Sequence, residues 1–210
     1  MVMDHELAFA SLQKLVNCLN ENFKNRFFLV DGTLLGLVRD GGFIVGDTDI
    51  DIGMWIEDLD DRIMTDLESA GFKHVCTLGT AESGLMHKFR DGDIKVDIGF
   101  YYHQSDLVWT MLFSRGRRLR SSFAKFGLEA AKFKGIPVML PAPREQYLRI
   151  MYGENWRIPV TKWNYRYAAR NLQAEGGFFW RVAYPVKRAL WRLLHPGIFR
   201  NGGNGEIDDR

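Results

Sequence analysis

The stretch FFLVDGTLLGLVRDGGFIVGDTDIDIGM, residues 27–54, places Asp47, Asp49 and Asp51 at alternate positions shortly after a Gly-Thr pair, Gly32 and Thr33. Thr48, Ile50, Ile52 and Met54 alternate with Asp47, Asp49, Asp51 and Gly53. A strand over 48–56 therefore sends its isoleucines to a core and every aspartate to the opposite face. Just upstream, Phe27–Val30 reads as a short apolar strand, Asp31-Gly32 as a turn, and Thr33–Val38 as a short helix whose Gly36 permits close packing. Ionised carboxylates held this close repel one another unless a cation or a shared proton lies between them.

Three readings compete for the aspartates. A solvated polar strand face is strained by like charges side by side, at a cost of a few tenths to about 1 kcal/mol per close pair. A calcium loop matches at its first, third and fifth positions but then fails, because Ile52 stands where the loop needs glycine and Asp58 where it needs a bidentate glutamate. The third is a site for a hard divalent cation, Mg²⁺ or Mn²⁺, serving phosphoryl transfer. It requires another carboxylate from a neighbouring strand, and Asp97, set among Ile94, Val96, Ile98 and Phe100, supplies one on the polar face it shares with Lys95 and Gly99. Asp49, Asp51 and Asp97 can then converge on one or two ions, with Asp47 in support. Gly32 and Thr33 complete the pattern, since a glycine turn at a helix N-terminus offers N–H groups to a phosphate.

Outward from this centre, apolar residues at 8, 12, 15, 16, 19 and 23 form the stripe of an amphipathic helix over 7–23. Residues 58–70 read as a helix with an aspartate start and Gly71 as its left-handed stop. Strands follow at 72–78, 84–90 and 94–102, the last two joined by Asp91-Gly92-Asp93, then at 107–113 and 119–124. Lys132–Leu140 suits a hairpin around Gly135, and Pro141-Ala142-Pro143 opens a helix to about Tyr152 that Gly153 closes. The chain is thus α/β, a mixed sheet flanked by helices.

The chain is 46% hydrophobic over 210 residues, enough for one sizeable core, and its net charge of +2 is too small to imply nucleic acid. Cys18 and Cys76 lack both zinc spacing and the density of a secreted scaffold, which points to core thiols in a reducing compartment. The start of the chain has no signal-peptide pattern, and no apolar run approaches the roughly 20 residues of a membrane span. His74, His87 and His103 show no ligand spacing and receive no role.

The motifs together resemble the nucleotidyltransferase fold and, more closely, the LicD and fukutin-related family of phosphotransferases. The resemblance rests on Asp31-Gly32-Thr33-Leu34-Leu35-Gly36, Arg39, Phe43-Ile44, Asp47 to Gly53, Val96-Asp97-Ile98, Gly135-Ile136-Pro137-Val138, Pro141, Tyr147-Leu148 and Tyr152-Gly153-Glu154-Asn155-Trp156, spanning roughly 27–165. It implies metal-dependent transfer of a phospho-alcohol, phosphocholine or an alditol phosphate, from a CDP-linked donor to a sugar hydroxyl of a cell-surface glycan. The metal carboxylates of the family fall on Asp49, Asp51 and Asp97. Where the family often has Pro-Trp before the first aspartate, this chain has Val45-Gly46. A true nucleotidyltransferase, leaving a nucleotide on its acceptor, would use the same carboxylates, and a degenerate nucleotide-binding module is the non-enzymatic alternative.

Around that centre, Arg39 either contacts a phosphate or pairs with a nearby aspartate. Tyr152, Trp156 and Trp163 either line a sugar or base pocket or belong to the core. Lys95 reads as a solvated strand residue, and the run Arg115 to Arg120 as either an anion site or a solvated turn. Residues 1–177 form the catalytic domain in this reading, 178–200 a basic amphipathic helix and 201–210 a disordered tail. Over 178–195, Arg181, Arg188, Arg192 and His195 share one face and Phe179, Ala183, Val186, Leu190 and Leu194 the other, with Pro185 a candidate break. Such a helix suits either a membrane surface, bringing the enzyme to a lipid-linked acceptor at the cytoplasmic face, or packing on its own domain.

Overall fold

The computed structural model of the chain describes residues 3–114, 116–160, 164, 169, 171–175 and 178–196. Trp163, Arg115 and the tail 201–210 lie outside them.

Helix α1 (His5–Asn22) starts where the Asp4 carboxylate accepts the Glu6 and Leu7 N–H groups, and it buries Leu12, Leu15, Val16 and Leu19. Strand β1 (Phe27–Leu29) leads into α2 (Asp31–Asp40), which Gly41 closes in the left-handed conformation. Strand β2 (Asp49–Trp55) carries the aspartates. The helix expected from residue 58 begins later: Ile56–Asp58 form a 3-10 turn and α3 runs Arg62–Ser69. The physical reason is Asp60, whose carboxylate takes the Arg62 N–H and sets the helix start there.

Strands β3 (Lys73–Thr80), β4 (Gly84–Asp91), β5 (Ile94–Gln104), β6 (Leu107–Ser114) and β7 (Arg117–Ala124) continue the sheet. Its order is β1-β2-β5-β6-β7-β10, where β10 is a short strand at Leu172–Glu175 that the sequence pattern does not announce. The long β5 pairs with β2 along one edge and divides its other edge, Ile94–Gly99 pairing with β4 and Tyr101–Gln104 with β6. Among the described residues only β2 and β5 run parallel, so the sheet is mixed, as expected.

Strands β8 (Gly127–Phe133) and β9 (Ile136–Ala142) form a separate hairpin, longer than the 132–140 expected. Its turn residues Lys134 and Gly135 both have positive φ, the conformation that matches the twist of a tight hairpin. Helix α4 (Arg144–Tyr152) follows Pro143 and ends at Gly153, whose φ is 88°. Helix α5 (Phe178–Leu194) contains Pro185 without ending there.

The two faces of the central strands are buried differently. Ile50, Ile52, Met54, Val96, Ile98 and Phe100 are fully buried on one side. On the other, Phe28 fills the space over Gly53, and its ring meets Trp55, Tyr101 and Phe126. Tyr147 of α4 stacks on Phe123 at 4.3 Å. This aromatic layer ties α4 to the sheet and leaves the aspartates at its margin.

Candidate metal centre

Period two in β2 puts Asp49 and Asp51 on one face, and the parallel register sets Asp51 opposite Asp97. One carboxylate oxygen from each of Asp49, Asp51 and Asp97 lies within 4.8 Å of the others. The structure thus brings together the three residues the sequence singles out.

Asp51 is the most constrained. Its carboxylate Oδ2 accepts the Gly32 N–H at 3.1 Å, its own N–H donates to the Thr33 hydroxyl at 2.8 Å, and its carbonyl accepts the Val30 N–H at 3.2 Å. Gly32 and Thr33, expected at a phosphate, are turned toward this aspartate. A Cβ on Gly32 would stand 2.8 Å from Asp47 Oδ2 and 3.3 Å from Asp51 Oδ2, so the close approach requires glycine. Asp47 accepts the Thr48 N–H at 3.0 Å through Oδ1, while its Oδ2 is buried with no hydrogen-bond partner among the described residues. Asp97 forms an ion pair with Lys88.

Asp31 belongs to this cluster although the sequence reading gave it no role. It sits at the head of α2 with φ 45° and accepts the Tyr147 hydroxyl at 3.2 Å, which in turn lies 2.8 Å from the Tyr101 hydroxyl. Burial holds both tyrosines well above the usual phenol range, so each keeps its proton. Burial, with the charges of Asp49, Asp97 and Asp47 added, pushes the Asp31 carboxyl up to about 6 against the pull of Tyr147. Asp47 is also raised to about 6, by burial and then by Asp49. Asp51 lies well above the ordinary carboxylate value because of burial and the charges of Asp49, Asp31, Asp47 and Asp97. Burial raises Asp97 too, opposed by Lys88. Burial is the first cause of each shift, and the crowding of like charges adds to it.

Hard carboxylate oxygens from two strands, an orphaned buried oxygen on Asp47 and an ammonium already drawn to Asp97 together fit a divalent cation of the Mg²⁺ or Mn²⁺ kind.

The other expected residues are distributed as follows. Arg39 pairs bidentately with its neighbour Asp40, at 2.8 and 2.7 Å, and not with the clustered aspartates. Tyr152 is close enough for Asp31, Asp51 and Asp47 to add to its burial in raising its phenol, whereas Trp156 is 3% exposed and carries Arg157 over its ring at 4.1 Å. Arg118 donates to the Ser83 carbonyl, and Arg120 to Gln104 while lying over Trp109. His87 is buried beside Thr77 and held down to about 4 by burial; among the described residues no histidine joins a metal-competent group.

Lys88, like Asp31, is a residue of the cluster that sequence reasoning missed, and for Lys88 the signal existed. The turn at Gly92-Asp93 pairs Asp91 with Ile94, so counting back along the hairpin sets Lys88 opposite Asp97.

Helix α5 reverses part of the expectation for its basic face. Arg188 donates to the carbonyls of Leu172 and Ala169, and Tyr184 is buried, so the helix docks through its arginine and aromatic side. The reason is that those carbonyls offer Arg188 acceptors that the helix's aliphatic side cannot use. Val182, Val186, Leu190, Leu193 and Leu194 are left exposed. Among the described residues no helix is long and apolar enough to cross a membrane.

Comparison with known proteins matches residues 24–145 to the family described as LicD/FKTN/FKRP, nucleotidyltransferase domain. Ribitol-5-phosphate transferase FKTN of Mus musculus is 31% identical over 153 residues, which make up 71% of this chain and 33% of the mouse protein. The Homo sapiens protein of the same name is 30% identical over 153 residues, with the same two shares. The chain therefore spans about a third of the length of the curated relatives it matches. Among solved structures, ANT(2″)-Ia in complex with adenylyl-2″-tobramycin aligns with 90% of this chain and 99% of its own, at a TM-score of 0.45 and 16% identity.

Proposed function

This chain belongs to the LicD/FKTN/FKRP family, and from that premise we propose that it transfers a phospho-alcohol, phosphocholine or an alditol phosphate such as ribitol 5-phosphate, from a CDP-linked donor to a sugar hydroxyl of a glycan. The observation that carries this reading is the convergence of Asp49, Asp51 and Asp97 from two parallel strands beside the Gly32-Thr33 helix start.

In this reading Asp49, Asp51 and Asp97 hold one or two Mg²⁺ or Mn²⁺ ions, with Asp47 in support. The bound ion would neutralise charge on the donor's phosphates as a Lewis acid. Gly32 and Thr33 act on the phosphate site by fixing Asp51. Tyr147 donates to Asp31 at the back of the site, and the Tyr101 hydroxyl holds Tyr147 in place. Arg39, whose partner Asp40 is only partly buried, exchanges that pair for a phosphate oxygen. Tyr152, near enough to Asp31 and Asp51 for their charges to reach its phenol, lines the substrate side in this reading, and Trp156 belongs to the core.

We place the reaction at the cytoplasmic face of a membrane, on an acceptor that is still lipid-linked. The outward row of Val182, Val186, Leu190 and Leu194, with the exposed Arg181 and Lys187 beside it, suits insertion into an anionic lipid surface.

A thermal-shift screen of CDP-linked donors tests the assignment, since a ligand that binds only the native state raises the melting temperature. CDP-choline or CDP-ribitol should raise it in the presence of Mg²⁺ and leave it unchanged in chelator. A screen in which no such donor shifts the wild type, or in which Asp49→Asn shifts equally, would refute it.

A further inference from the structure

Lys88 and Asp97 face each other across β4 and β5, and their side chains are 30% and 13% exposed. The register continues on both sides. Lys95 is paired with Asp49 on β2 and with Arg90 on β4. Residues paired across a ladder project from the same face, so Lys88, Lys95 and Arg90 stand on the flank of Asp49, Asp51 and Asp97. Among the described residues neither Lys95 nor Arg90 has an ion-pair partner.

A strip of cations beside a carboxylate cluster has a consequence once a divalent ion takes those carboxylates. The ammonium on Asp97 is then repelled by the ion and loses its acceptor. Its stem is anchored in the central sheet, so its head stays beside the cluster. A diphosphate bound to one divalent ion still carries surplus negative charge, and lysine and arginine are the side chains that meet it.

We propose that Lys88, Lys95 and Arg90 form a phosphate-binding flank for the donor's diphosphate, with Lys88 serving as the counter-ion of Asp97 until divalent metal displaces it. This rests on the metal-site reading above. Lys88 is a positioning residue for the empty site and a ligand of phosphate in the loaded one.

The test is Mn²⁺ binding, followed by spin resonance, and then CDP binding at saturating Mn²⁺, followed by calorimetry, with cytidine as the control that lacks phosphate. Lys88→Met should bind Mn²⁺ about threefold more tightly, because a competing cation is gone, and CDP about tenfold more weakly, because a charge-assisted hydrogen bond is lost. Lys88→Arg should restore CDP affinity. Arg90→Gln, at an exposed strand position where folding is not at stake, should weaken CDP about threefold and leave Mn²⁺ affinity as in the wild type. Cytidine binding should not respond to any of these changes. Wild-type Mn²⁺ binding together with unchanged Mn²⁺ and CDP affinities in Lys88→Met and Arg90→Gln would overturn the flank while leaving the metal site standing. Absence of Mn²⁺ binding by the wild type would overturn both.

Discussion

At Thr33 a fully buried hydroxyl accepts the Asp51 N–H, and valine has almost the same shape without the oxygen. Thr33→Val should cost about 1–3 kcal/mol by leaving a buried donor unpaired, read from the urea midpoint, and should weaken Mn²⁺ binding as Asp51 loses its anchor. A midpoint and affinity equal to the wild type would show the hydroxyl to be dispensable. Gly32→Ala acts at the same point by another route: its Cβ would press on Asp47 Oδ2 and Asp51 Oδ2, so metal affinity should fall while the fold persists. Intact Mn²⁺ affinity in that variant would mean that the carboxylates can move aside at no cost. These details mark how far single residues are readable. The aspartates announce themselves by alternation, which depends only on neighbours in sequence. The direction of the Gly32 N–H, the left-handed φ of Asp31 and the Tyr147 contact depend on how α2 and α4 settle against the sheet, and no local pattern encodes that. Lys88 lies between: hairpin counting finds it, but only once the turn is placed.

Among the elements, β2 and α1 were legible because their periods are clean, whereas the start of β8 and the whole of β10 were not. Gly127-Leu128-Glu129-Ala130-Ala131 has no sustained alternation, and the four residues of β10 are ordered by pairing with β7. Helix α5 is the instructive case. Its amphipathic stripe is plain in the sequence, yet the side that docks is chosen by Arg188 donating to carbonyls and by the burial of Tyr184, contacts to which a hydrophobic pattern is blind. Two kinds of substitution should therefore separate. Tyr184→Ala should destabilise the protein by about 3 kcal/mol, as large-to-small changes of buried aromatic residues do. Serine at Val186, Leu190 and Leu194 together should change stability by no more than about 0.5 kcal/mol per site, because these side chains are already exposed. The triple variant should lose flotation with anionic vesicles, and wild-type flotation should weaken with salt. Equal, salt-independent recovery of both proteins would remove the lipid surface as the partner of this face.

For the molecule as a whole, the buried carboxylates make stability, pH and metal interdependent. Asp31 and Asp47 titrate near 6 in the fold against an ordinary value of 3.8. Their contribution to metal-free stability is complete below about pH 4 and is lost as pH rises through 6. His87 works in the opposite sense: held down to about 4 from 6.5, it costs stability as pH falls below 6.5. The two effects overlap in an apo melt, but His87 stands apart from the cluster and cancels in the difference made by metal. Saturating Mg²⁺ should raise the melting temperature by about 2–4 °C at pH 7.5, where the carboxylates are ionised, and by less than about 1 °C at pH 5, where protons compete. A shift of equal size at both values would place the ion elsewhere. The chemistry itself is decided by the fate of a cytidine label when the protein, Mg²⁺, a CDP-linked alcohol and a panel of glycan acceptors are combined, with Asp49→Asn alongside. Transfer of a phospho-alcohol predicts that the label leaves as CMP, that the alcohol phosphate appears on the glycan, and that both stop in chelator and in the variant. Label retained on the glycan, or release that proceeds unchanged in Asp49→Asn, would contradict it.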